Sequence, residues 1–282
     1  MDNKKKIMIV AGIAGVTFAS YFIYEHMVYV TTDNAQIEAP VVMLAAKVPG
    51  YIVDVKVVEG QRVKKGDVLV EIDSRDYKNN LKQIQSELMS LESRKSDAER
   101  NFERITQLYK QKVVSTQQFD TANANFLDVK SKYDAVTAQV DQSKLNLENT
   151  KIKAPVDGAV AKKSVELGQL AASGVPLIGF VGDSERWVTA NFKETDIAGI
   201  KVGSAVEIDI DAIDGKAYRG TVTSLSSATG ATFTLLPPDN ATGNFTKVVQ
   251  RVPVKIKLEN LTVSDLELLR AGLSAYVKVK KN

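Results

Sequence analysis

The chain has no cysteine in 282 residues. That excludes disulfides, thiolate metal sites, cysteine nucleophiles and a lipid-bearing cysteine anchor. Histidine occurs once, as His26, with no histidine or acidic residue at motif spacing. The common nucleophile–base pairs and histidine metal sites therefore have no material. No Walker loop, Gly-x-Ser-x-Gly, His-Glu-x-x-His or EF-hand pattern occurs. Excess charge is also lacking: 37 basic residues face 34 acidic ones, for a net charge of +3. This gives no reason to expect a nucleic-acid partner. Neighbouring carboxylates such as Asp97 and Glu99 read as a solvated helix face. The chain is expected to be a non-enzyme with no cofactor and no metal.

One long uncharged run is present. Lys4, Lys5 and Lys6 precede an uncharged segment from Ile7 to Tyr24. About 17–25 apolar residues span a bilayer, and the basic cluster stays on the cytoplasmic side. Thr17-Phe18-Ala19 offers a cleavage site, but apolar character continues through Tyr21-Phe22-Ile23-Tyr24, where a signal peptide would turn polar. The reading is an uncleaved anchor, with His26 as an interfacial residue.

Glycine and proline are absent from Ser74 to Thr150. There Tyr77, Leu81, Ile84, Leu88, Leu91, Ala98, Phe102, Ile105 and Tyr109 recur at steps of four and three, interrupted only by Lys95. A second series runs through Phe119, Ala122, Phe126, Val129, Tyr133, Val136, Val140 and Leu147. These are heptad seams of two helices, each roughly 50–60 Å long, packed antiparallel about a short connection near Val113-Val114. Asp73 or Ser74 can cap the first helix, and Ser115 with Gln118 reads as a capping box for the second.

The flanks of this hairpin repeat each other. At a constant offset of 108 residues and with no gap, Val48 meets Val156, Gly50 meets Gly158, Gly60-Gln61 meets Gly168-Gln169, Gly66 meets Gly174 and Leu69 meets Leu177. Glycines at fixed spacing mark tight turns between short strands. Two halves of one β domain are thus expected on either side of an inserted hairpin. Past Trp187, strand-like segments alternate with glycine-bearing turns: Trp187–Phe192, Ala205–Asp211, Ala217–Ser224, Val252–Leu258 and Ala275–Lys280. That pattern suggests a small β-barrel.

Paired glycine-bearing halves around a coiled-coil hairpin resemble the membrane fusion proteins, or periplasmic adaptors, of the HlyD family. Thr32-Asp33-Asn34-Ala35, the segment from Arg186 to Asp196, and the long stretch from Ser227 to Pro253 resemble its EmrA-like branch. Lipoyl and biotinyl carriers place a modified lysine between their halves. Here the turn reads Glu71-Ile72-Asp73-Ser74, so carrier chemistry has no attachment point.

The resemblance implies a mixed, elongated, multi-domain chain. It would comprise a cytoplasmic tail (1–6), a transmembrane helix (7–27), first strands joining a β-barrel (28–46) and half of a split lipoyl-like, barrel-sandwich hybrid domain (47–73). The antiparallel α-helical hairpin (74–150, tip near 113–115), the second lipoyl-like half (151–183) and the barrel (184–282) follow. It also implies an inner-membrane, single-pass protein with most of its mass in the periplasm, forming trimers or hexamers. The implied partners are an EmrB-like proton-driven transporter of the major facilitator superfamily and a TolC-like outer-membrane channel, in multidrug efflux. An adaptor for ABC-driven type I secretion is the alternative.

Arg104, Leu108 and Ser115 resemble the Arg–Leu–Ser tip motif that engages such channels. Phe233, Leu235 and Leu236 crowd a stretch with no charged residue from Gly220 to Pro238, and form a candidate transporter-docking loop. Gly50, Gly60, Gly66, Gly158, Gly168 and Gly174 are expected to shape turns. The hairpin is short beside the longest of the EmrA-like branch.

Overall fold

The structure, a computed structural model, describes residue 25 and residues 27–213, 215–233 and 248–281. The expected anchor at 7–27 falls outside the described residues except for 25 and 27, and His26 falls outside them too. Among the described residues no helix is long and apolar enough to cross a membrane. The chain divides into two units, one formed by residues 41–180 and the other by the segments on either side.

In the first unit, α1 (Arg75–Lys110) and α2 (Thr116–Glu148) form the hairpin. At 1.5 Å per residue they are about 54 and 50 Å long. Asp73 starts α1: its Oδ1 accepts the Arg75 backbone N–H at 3.0 Å, and Oδ2 accepts Arg75 Nη2 at 2.6 Å. Those bonds to Arg75 hold the Asp73 carboxyl down at about 2. Ile84, Ala98, Ala122 and Val140 are the buried apolar seam residues. Most others are half-buried, because each helix of a two-helix rod covers only one side of the other. Phe102 stacks on Phe126 with centroids 5.5 Å apart. Lys95, which interrupts the seam, lays its ammonium 4.3 Å from the Tyr133 ring centroid. A cation over an aromatic face lets a charge occupy a seam position. Ser143 is also a seam residue, 5% exposed and within 3.4 Å of Asn80 Nδ2.

The hairpin stands on two four-stranded sheets. Their strands are β2 (Val41–Ala45), β3 (Gly50–Val55), β4 (Arg62–Val63), β5 (Val68–Ile72), β6 (Lys151–Lys153), β7 (Gly158–Lys163), β8 (Leu170–Ala171) and β9 (Pro176–Gly182). The orders are β2-β9-β7-β4 and β6-β5-β3-β8. The 108-residue offset converts one sheet into the other. Gly50 pairs with Ala171 and Tyr51 with Leu170, while Gly158 pairs with Val63 and Ala159 with Arg62. Gly60 N–H bonds the Val160 carbonyl at 2.8 Å, and Gly168 N–H bonds the Ile52 carbonyl at 2.9 Å. Gly66 reaches Ala154 and Gly174 reaches Ala46, both at 2.9 Å.

Each sheet draws strands from both halves, so neither half closes a core alone. Leu69, Val70, Leu177, Ile178 and Phe180 are fully buried between them. Tyr77 ties α1 to this base by donating its hydroxyl to the Pro49 carbonyl at 2.7 Å.

In the second unit a closed six-stranded barrel runs β1-β10-β13-β12-β11-β14. Its strands are β1 (Tyr29–Glu38), β10 (Trp187–Lys193), β11 (Ala205–Ile210), β12 (Ala217–Leu225), β13 (Arg251–Leu258) and β14 (Ser274–Lys280). Alternation sets the inside: Val254, Ile256 and Leu258 are buried while Lys255 and Lys257 face out. β1 pairs with both β10 and β14, so the chain's first described strand closes the barrel.

The expected grouping of 28–46 with the barrel needs correction. Only β1 enters it, and Val41–Ala45 belongs to the sheet beside β9. Pro40 lies between these two strands.

A short helix absent from the sequence reading, α3 (Val263–Leu268), begins with a Thr262–Asp265 capping box. Asp265 is 2% exposed and accepts from Tyr218 Oη at 3.0 Å, Thr262 Oγ1 at 2.7 Å and Lys216 Nζ. The Lys216 bond, followed by the Thr262 bonds, holds its carboxyl far below the usual range. Buried Arg186 donates to the carbonyls of Leu269 (3.1 Å) and Gly182 (2.6 Å), anchoring the chain where it enters β10.

Candidate functional site

The hairpin tip is built by the way α1 stops. Lys112 N–H bonds the Tyr109 carbonyl and Val113 N–H bonds the Leu108 carbonyl, both at 2.9 Å. This crossed pair is a Schellman ending, which places one residue in the left-handed region. That residue is usually glycine; here it is Lys112, with φ +62°. Val113 follows, 66% exposed, as the most solvent-facing apolar residue of the turn.

Ser115 then opens α2 with both arms of the capping box. Its hydroxyl accepts Gln118 N–H at 3.2 Å, and its own N–H reaches Gln118 Oε1 at 3.0 Å. Beneath the turn Tyr109 stacks on Phe119 at 4.9 Å, and Phe119 lies 5.7 Å from Phe102. These aromatics fix the two helix ends against each other.

Arg104 is exposed, and its Nη2 donates to Asn101 Oδ1 at 2.7 Å, within its own helix. Leu108 is half-buried one turn further on, so the two share a face. Ser115 is exposed, with its acceptor role already taken by the cap. The tip therefore offers a guanidinium, an apolar side chain and a hydroxyl on a rigid turn. Lys112 and Val113 join them, and the sequence marked neither for function; the missing glycine hid the turn type.

The second candidate surface falls largely outside the described residues. Phe233 ends a 3₁₀ turn, Gly230–Phe233, while Leu235 and Leu236 lie outside. Of the six candidate turn glycines, Gly50, Gly60, Gly66, Gly168 and Gly174 have positive φ. Gly158 is not among them; it is buried at the start of β7, opposite Val63. Among the described residues no group of three His, Asp or Glu side chains could hold a metal ion.

The family model described as "RND MFP, barrel-sandwich hybrid domain" matches residues 40–180, half of the chain. "Multidrug export protein EmrA" of Haemophilus influenzae is 31% identical over 99% of this chain and 84% of its own length. "Colistin resistance protein EmrA" of Acinetobacter baumannii is 28% identical over 97% of this chain and 91% of its own length. "Fatty acid resistance protein FarA" of Neisseria gonorrhoeae is 51% identical over 137 residues, 48% of this chain and 34% of its own length. Among solved structures, a MacA–MexA chimera carrying the Pseudomonas aeruginosa MexA α-hairpin superposes with a TM-score of 0.63 at 28% identity. That match covers 90% of this chain and 81% of the chimera. A sandwich woven from two halves, a hairpin inserted between them and a full-length match to EmrA lead to one assignment: the chain belongs to the membrane fusion protein family of periplasmic adaptors, in its EmrA-like branch.

Proposed function

We propose that this chain is the periplasmic adaptor of a tripartite multidrug efflux pump. It would link an EmrB-like, proton-driven transporter of the major facilitator superfamily in the inner membrane to a TolC-like channel in the outer membrane. The observation that carries this reading is the 31% identity to a multidrug export adaptor over 99% of the chain. The adaptor role is mechanical, as in a family of non-enzymatic linkers, and the energy comes from the transporter. In this reading residues 7–27 anchor the chain and most of it faces the periplasm. The barrel and the loop bearing Phe233, Leu235 and Leu236 meet the transporter, and copies associate as trimers or hexamers around a conduit. The type I secretion alternative is not favoured, since the full-length relatives carry multidrug export and resistance names. FarA's name concerns fatty acids, and we include hydrophobic acids among the proposed cargoes.

At the tip, Arg104 bonds a carbonyl or carboxylate of the channel, Leu108 fills an apolar groove and Ser115 donates its hydroxyl. Leu108→Asp and Arg104→Asp test this role. Each should abolish efflux and channel cross-linking while helicity and oligomeric state stay unchanged. Full efflux in both variants would refute the tip assignment.

A further inference from the structure

The same offset that relates the two sheets runs through an open groove of about 920 Å³ at the foot of the hairpin. One side is β2 with Met43, Leu44 and Ala45; the other is β6 with Lys151, Ile152 and Lys153, their partners 108 residues later. Lys65-Gly66 and Ser173-Gly174, again 108 apart, also line it. The backbone is symmetric here, but the side chains are not. One half contributes an apolar strand, and its counterpart contributes a strand with two lysines. Leu145, from the last turn of α2, adds a further apolar side chain, 49% exposed. The turns on the two sides are held by the same backbone bonds, Gly66 to Ala154 and Gly174 to Ala46, so the halves differ here in side chains and not in backbone.

Charge in the groove is mostly of one sign. Lys47, Lys65, Lys151 and Lys153 line it, against one acidic residue, Glu148. Lys153 is bonded to Glu148 at 2.9 Å, and Glu148 also feels Lys47 at longer range. Asp157 lies close by and accepts the Lys65 backbone N–H at 2.8 Å. Among the described residues, no carboxylate pairs within 4.0 Å with the ammonium groups of Lys47, Lys65 or Lys151. A cleft in the ~300–1,000 Å³ range, with a basic rim and an apolar wall, has the size and chemistry of a small-molecule site.

We propose that this groove binds an amphipathic organic anion, with the carboxylate among Lys47, Lys65 and Lys151 and the alkyl or aryl body along Met43, Leu44 and Leu145. The site belongs to the adaptor itself, so a ligand there would not need the transporter or the channel.

The test uses the purified full chain and decanoate bearing a terminal diazirine, photolysed and mapped by mass spectrometry. Adducts should concentrate on the peptides containing residues 43–47 and 145–153. Excess decanoate should suppress them, and decanol should not. Replacing both Lys47 and Lys151 by Gln should reduce this labelling about tenfold, the scale of two lost solvent-exposed charge contacts. Replacing both by Arg should preserve it, and unchanged far-UV circular dichroism in each variant establishes folding. Adducts spread over the exposed surface or concentrated in residues 1–24 would overturn the proposal. Suppression by decanol equal to that by decanoate would overturn it as well. Failure here leaves the adaptor reading intact, because that reading stands on the partners the chain recruits.

Discussion

Substituting Gly50 by Ala strikes the point where the two sheet halves meet. A Cβ at position 50 would stand 2.5 Å from Ile72 Cγ2, well inside the ~3.5–4 Å of an ordinary carbon contact. Ile72 is 1% exposed and pairs with Ile52, so it has no open space to move into. Overpacking of this kind costs about 1–3 kcal/mol. The φ of +155° adds backbone strain of about 1 kcal/mol or more for any side chain. The expected loss is about 2–4 kcal/mol, a large share of the ~5–15 kcal/mol that holds a domain together.

Gly174→Ala is the control. Its φ is +83°, but nothing lies within 4 Å of the added methyl, so only the backbone contribution of about 1 kcal/mol applies. The chain has a built-in way to separate the units, because its single tryptophan, Trp187, lies in the barrel. Urea unfolding followed by far-UV circular dichroism reports mainly the hairpin, and Trp187 fluorescence reports the barrel. Gly50→Ala should move the helical transition to lower urea and leave the Trp187 transition in place. A Gly50→Ala protein within about 0.5 kcal/mol of the parent, or one no weaker than Gly174→Ala, would refute the close-packing argument.

Gly220→Ala should do the converse: its Cβ would meet the Lys257 carbonyl oxygen at 2.7 Å and Ile256 Cγ2 at 2.9 Å, so the Trp187 transition should weaken by about 1–3 kcal/mol. Lys112→Gly should raise the stability of the hairpin by about 1 kcal/mol, since it relieves a left-handed lysine at the turn; a loss in the helical transition would contradict the Schellman assignment. Ser115→Ala should cost about 1 kcal/mol in the same assay, through loss of the cap alone. Asp265 has a depressed carboxyl pKa in the fold, so its contribution is present above the unfolded value of about 3.9 and is lost as pH falls further. Asp265→Asn should therefore weaken the Trp187 transition at neutral pH, and the gap to the parent should narrow below about pH 4.

The hairpin was legible because heptad spacing and the absence of glycine and proline leave few alternatives. Its irregular positions were not. Lys95 breaks the pattern in one dimension, but in three it lies over Tyr133. Ser143 occupies the seam although its side chain gives no hydrophobic signal. The repeat of glycines announced two related halves, yet a one-dimensional match cannot say that they interleave into two sheets. Interleaving depends on pairings such as Gly50 with Ala171, which join residues far apart in the chain. Barrel closure by β1 is non-local in the same way. Helix α3 carried a readable signal, Thr262 three residues before Asp265, on a segment too short for periodicity to register. The groove at the hairpin foot had no motif, because its lysines come from three separate segments.

The central claim is that this chain joins a transporter in one membrane to a channel in the other. The most direct test is to cross-link intact cells expressing the tagged full chain, purify it and identify what co-purifies by mass spectrometry. The account predicts a proton-driven transporter of the major facilitator superfamily together with an outer-membrane channel, the channel bound through peptides of the tip around residues 104–115. Recovery of an ABC exporter with a secreted protein, or of neither a transporter nor a channel, would contradict it.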